Sequence, residues 1–96
     1  MSEAVAVAHV DNDEVRVTEW RFAAGAATGH HRHDYDYVVV PLSAGLLKAI
    51  AAAGETVAEL VPGQAYFRKA GVEHDVVNAG SKPFAFVEIE LKHRPG

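Results

Sequence analysis

Short runs rich in valine, isoleucine, tyrosine and phenylalanine recur along the chain, each closed by glycine, proline, asparagine or serine. That rhythm predicts strands packed into a sandwich or barrel, an all-β fold. Residues 4–10 alternate around Val5 and Val7. Residues 14–22 put Val15 and Val17 on one face and Trp20 and Phe22 on the other. To bury both apolar pairs, a strand would have to switch faces between them, so a bulge or kink is expected near Thr18-Glu19. Residues 25–29 read as a loop, and residues 31–42 as the longest strand, with Pro41 near its end, where a missing N–H is tolerated. Residues 46–52 and 55–61 form a hairpin around Ala53-Gly54, and Pro62-Gly63 turns the chain again. Residues 64–68 and 74–79 are short strands. Residues 84–91 alternate cleanly, with Val87, Ile89 and Leu91 on one side and Glu88 and Glu90 on the other. The stretch 44–53 is rich enough in alanine for a helix, but its β surroundings favour a strand. Residues 92–96 read as a loose tail.

With 96 residues, the expectation is one domain spanning 1–96. The formal charge of −4 disfavours a basic nucleic-acid binder and a polybasic membrane anchor. There is no cysteine, so thiolate zinc sites, iron–sulfur clusters, disulfides and cysteine nucleophiles are excluded. Glu3 stands where a signal peptide would be positive, and Pro41, Lys48 and Gly54 interrupt the apolar stretches. The default setting is the cytoplasm of a bacterium.

The chemistry gathers on histidine. On a strand, His31 and His33 share a face and His30 and Arg32 take the other. Their roots, about 7 Å apart, let both imidazoles converge on one ion. His74 opens another strand and can supply the third ligand. Three neutral imidazoles suit Fe(II), Zn, Ni, Cu or Mn, with positions left open for water or substrate. Tyr35 and Tyr37 share the histidine parity; Asp34 and Asp36 do not, unless a bulge brings Asp36 inward. Against this stands the plain alternative of exposed surface histidines and tyrosines that merely fill a barrel.

The spacing resembles the cupin superfamily, small barrels of the jelly-roll type. The first cupin motif runs Gly, five residues, His-x-His, three or four residues, Glu, six residues, Gly. Here Gly25, His31-x-His33 and Gly45 follow it over residues 25–45, but Tyr37 or Val38 stands where Glu is expected. The second motif runs Gly, five residues, Pro-x-Gly, two residues, His, three residues, Asn. Gly63, Gly71, His74 and Asn78 match it at every spacing over residues 63–78, with Lys69 in place of Pro. The resemblance implies a single-domain cupin-type jelly-roll β-barrel with a metal on His31, His33 and His74. The absent Glu removes the usual fourth ligand. What remains looks like the three-histidine iron centres of some cupin dioxygenases, or like a site that has lost its metal. The runs YDYVVVPL (35–42) and YFRKAGVEHDVVNA (66–79) resemble, more narrowly, the stand-alone bacterial cupins associated with β-alanine degradation.

Three functions stay open. The first is an enzyme acting on a small organic acid, dioxygenase-like, with Tyr37 and Arg68 beside the metal. Arg68 is the candidate cation for a carboxylate, Arg21 the second, and Tyr35 and Tyr37 are candidate hydrogen-bond donors to substrate. The second is a non-catalytic metal- or metabolite-binding module. The third is a structural barrel without metal. The expected partner is a small molecule, not nucleic acid or membrane. A homodimer is expected through the apolar N-terminal strand, which would otherwise leave an open edge.

Overall fold

The protein, described over residues 2–92 by a computed structural model, is built from strands, and among these residues there is no helix. In chain order they are β1 (Val5–Asp11), β2 (Val15–Phe22), β3 (His31–Arg32), β4 (Asp36–Pro41), β5 (Gly45–Ala51), β6 (Gly54–Leu60), β7 (Tyr66–Arg68), β8 (Glu73–Asn78) and β9 (Phe84–Leu91). They form two facing antiparallel sheets, ordered β1-β2-β9-β4-β7 and β3-β8-β5-β6. The alanine-rich stretch is strand β5, paired along its whole length with β6 and closed by a two-residue turn before Gly54. Among the described residues, no helix is long and apolar enough to cross a membrane.

Strand β9 lies at the centre of the larger sheet. Its residues alternate between buried and half-buried, with Phe84, Phe86, Glu88 and Glu90 turned inward. The Phe22 ring packs at a tilt against Phe84 at 4.8 Å and against Phe86 at 5.5 Å between centroids, filling one end of the barrel. Val39, Leu47, Leu60 and Val76 complete the core. The opposite end is polar.

Three expectations are corrected. Strand β2 runs in unbroken register against β9, with no bulge near Thr18-Glu19; the register shift lies in β1, between Ala8 and Val10. The reason is that Arg16 faces inward with Thr18, Trp20 and Phe22, because Glu90 waits directly opposite it. Val15 and Val17 therefore sit on the outer face, only half-buried, and no face switch is needed. The strand expected over 31–42 is broken between Arg32 and Asp36, so that β3 joins one sheet and β4 the other. Lys92 is not loose: its N–H donates to the Glu14 carbonyl at 2.8 Å, and its ammonium meets Asp11 at 2.5 Å. The rest of the expected tail, 93–96, lies outside the described residues.

Two motif residues have structural work. Asn78 is fully buried and donates to the Lys82 carbonyl at 2.8 Å, while its own carbonyl oxygen accepts the Gly80 N–H at 2.9 Å. It anchors the turn before β9. A Cβ at Gly45 would stand 2.6 Å from the Phe84 ring, so the closing glycine of the first motif lets β5 lie against the aromatic core. Gly45→Ala is expected to destabilise the fold by about 1–3 kcal/mol through overpacking, read as a lowered urea midpoint. An unchanged midpoint would mean that Phe84 yields freely.

Candidate metal centre

The site depends on how the broken strand is fastened. In β3, His31 pairs directly with His74 of β8. Just beyond it, the His33 N–H donates to the Val72 carbonyl at 2.9 Å, and the Gly71 N–H donates to the His33 carbonyl at 2.8 Å. Gly71 has φ of 97°, a conformation costly for any residue with a Cβ. These bonds hold His33 against the loop that leads into His74. The chain then crosses to the other sheet, with Asp36 accepting the Ala70 N–H at 2.8 Å. Asp36 is thereby committed to the loop rather than to the histidines.

The result is convergence. His33 Nε2 lies 3.1 Å from His31 Nε2 and 3.2 Å from His74 Nε2. His31 Nδ1 lies 2.9 Å from the Gly29 carbonyl, which can only accept, so that nitrogen carries the proton and Nε2 offers its lone pair. An ion about 2.1 Å from two nitrogens, themselves 3.1–3.2 Å apart, would see them at roughly 95–100°. That lies between the right angle of an octahedral site and the wider angle of a tetrahedral one. The donor set therefore fits a divalent transition metal.

Residues 18–90 match the family described as "Cupin domain". The chain is a cupin. It is 60% identical over 90 residues to the β-alanine degradation protein BauB of Pseudomonas aeruginosa, covering 94% of this chain and 95% of that one. It is similar to the crystal structure of a cupin domain from Bordetella pertussis, with a TM-score of 0.93 and 46% identity over 96% of each chain. The polyketide cyclase RemF of Streptomyces resistomycificus shares the fold at a TM-score of 0.75, with 20% identity over 98% of this chain and 68% of that one.

In this cupin the three histidines sit beside a cavity of about 350 Å³, whose lining includes His33 and His74. Tyr37 is buried and stacks on the His33 ring at 4.0 Å between centroids. It keeps the histidine side of the chain despite the break before β4. Arg68, opposite Tyr37 in register on β7, also lines the cavity, with its guanidinium 4.5 Å over the Tyr66 ring. Arg21 is corrected as the second carboxylate candidate: it is exposed and paired with Glu19, outside the cavity lining. Tyr35 likewise is not among the cavity residues; the Arg16 guanidinium lies 6.0 Å from its ring.

Sequence reasoning missed two residues of this site, Glu88 and Glu90. Both are buried and inward, and together with His33 they form a second cluster of donor atoms. Glu88 Oε1 is 3.7 Å from His33 Nδ1. Glu90 receives Arg16 in a two-pronged ion pair at 2.5 and 2.7 Å. The signal was parity: Phe84 and Phe86 share the face of the two acids, and two adjacent aromatics mark an inward face.

Burial governs the electrostatics. It pushes His33 down to about 4, helped by the neighbouring His31 and His74 and opposed by Glu90. His74 falls to about 4 for the same leading reason, with His31 next. Glu88 is pushed up to about 7 by burial and then by Glu90. Burial, with Glu88 behind it, also raises the Tyr37 phenol, which stays protonated at neutral pH.

These shifts act on stability in opposite directions. Between pH 4 and 6.5 the unfolded chain binds more protons at His33 and His74 than the folded one, so their contribution is lost as pH falls. Between pH 4.5 and 7 the folded chain binds more protons at Glu88, so its contribution is lost as pH rises. In the metal-free protein the two partly cancel. Glu88→Gln is expected to raise the urea midpoint above pH 7 and to steepen its fall on acidification. A profile parallel to wild type across that range would contradict this.

Proposed function

We propose that this cupin holds one divalent transition-metal ion on His31, His33 and His74 and uses it on a small organic acid from amino-acid breakdown. Degradation of β-alanine is the setting, and the bacterial cytoplasm the location. The observation that carries the reading is the meeting of three imidazole Nε2 atoms, 3.1 and 3.2 Å apart, beside a cavity large enough for a small metabolite. The 60% identity to a β-alanine degradation protein supports the setting.

Fe(II) is the first choice and would supply dioxygen activation; Zn, Ni, Mn or Cu would supply polarisation of a bound oxygen. The chain's own part is to bind and orient. Arg68 presents its N–H donors to a substrate carboxylate, a charge-assisted contact. Tyr37, held as a neutral phenol, donates its O–H toward the bound acid. Val39, Leu47, Val76 and Phe86 line the cavity with apolar surface and restrict water. All three ligands are nitrogen, since Tyr37 is a protonated phenol rather than a carboxylate. The departure from the motif's Glu leaves, as a second reading, binding of metal and metabolite without turnover.

Metal content by mass spectrometry is expected to approach one equivalent in wild type and to vanish in the His31→Ala/His74→Ala pair. Iron at that level, with oxygen uptake on small carboxylates, selects the enzyme; metal without turnover selects the binding module. Metal that is sub-stoichiometric and unchanged in the double variant would sink the reading. Arg68→Ala is expected to weaken carboxylate binding by about tenfold or more, the scale of a hydrogen bond to a charged group. Equal affinity in titration calorimetry would remove Arg68 from the site.

The homodimer belongs to the same proposal. Strand β1 is the edge of the larger sheet and is exposed along most of its length, with Val5 56% and Val10 41% accessible. Pairing with a second copy would cover that edge. Sedimentation is expected to give a dimer that Val5→Lys or Val7→Lys weakens. A concentration-independent monomer would exclude it.

A further inference from the structure

The three-histidine reading leaves unexplained why a central strand buries two carboxylates beside His33. Burying a carboxyl is costly unless it has a partner. Glu90 has one, since both its oxygens are taken by Arg16, which lies directly opposite on β2. Glu88 has Thr18 opposite it in register on β2 and Val39 opposite it on β4, neither of which carries a charge. The group it approaches is His33, with Oε1 3.7 Å from Nδ1. That nitrogen is on the far side of the ring from Nε2, the atom that meets His31 and His74. Glu88 groups with His33 and Glu90 and not with His31 and His74, so it is not a fourth donor to the point the three Nε2 atoms share. It stands behind the imidazole.

We propose that Glu88 is the positioning residue of the centre: from 3.7 Å, an ion-pair distance just beyond a formed hydrogen bond, it closes on Nδ1–H of His33 as an acceptor when an ion is held, and so aims Nε2 at the point shared with His31 and His74. The inference rests on the three-histidine reading and deepens it. His33 has two rotational freedoms to lose. Stacking on Tyr37 at 4.0 Å fixes the plane of its ring. An acceptor at Nδ1 fixes which edge faces the ion and which tautomer is present. His31 already has such an acceptor in the Gly29 carbonyl. Glu88 would give His33 the equivalent. The site would thus retain a carboxylate despite Tyr37 in the first motif, but from β9 and one imidazole further from the metal.

Glu88→Leu removes the acceptor while roughly keeping volume, and Glu88→Gln keeps an acceptor oxygen. Co(II) is the probe, with affinity measured by chelator competition and geometry by its visible absorption. Glu88→Leu is expected to bind Co(II) about 10–100-fold more weakly, the usual effect of removing such a partner, with an altered absorption envelope. Glu88→Gln is expected to recover most of that loss. The metal-free Glu88→Leu protein should be no less stable to urea than wild type, because a buried carboxyl is gone. A merely structural role predicts instead lost stability and unchanged metal geometry. Glu88→Ala serves if leucine does not fit. A loss smaller than tenfold with wild-type absorption overturns the proposal while the three-histidine reading survives. Wild-type protein that binds no Co(II), or binds it equally after His31→Ala/His74→Ala, overturns both.

Discussion

Everything at the site follows from one constraint: His33 must leave one sheet without letting go of it. Two backbone hydrogen bonds, from His33 to Val72 and from Gly71 to His33, fasten the chain to the loop before β8 just where β3 ends. Because His31 pairs with His74 in the same short ladder, the two strands carry all three imidazoles to one place. A small barrel has little core to spare, and backbone bonds at His33 and the Tyr37 ring beneath it hold this cluster in place.

The barrel is divided chemically. One end is filled by Phe22, Phe84 and Phe86 around an anchored Asn78 turn. The other holds Arg16, Glu90, Glu88 and the histidines. Strand β9 runs through both, aromatic at its start and acidic at its end, all on one face. Burial depresses His33 and His74 and raises Glu88 and Tyr37, so each group is pushed toward its neutral form. Neutral imidazoles are what a metal ligand requires. The arrangement costs stability on the acid side and keeps lone pairs available at neutral pH.

Much of this was legible before any coordinates. The period-two runs and turn residues marked the strands, and the spacing from Gly25 to Asn78 marked both motifs and their three histidines. The parity of Tyr37 with His31 and His33 also held, although the strand joining them did not. What misled was local hydropathy: Val15 and Val17 looked like an inward face, yet Arg16 is inward because its partner Glu90 is.

By itself the sequence determined the fold class, the family and the histidine set, because each is written in residue type and short-range spacing. Only the tertiary structure decided which groups Glu88 and Glu90 meet, that Arg21 stays outside, and that Arg68 lines the cavity. Those outcomes depend on which strand lies opposite which. Arg16 meets Glu90 across 74 positions of chain, and Glu88 meets His33 across two sheets. Pairing at that range is set by closure of the barrel, and no local pattern records it.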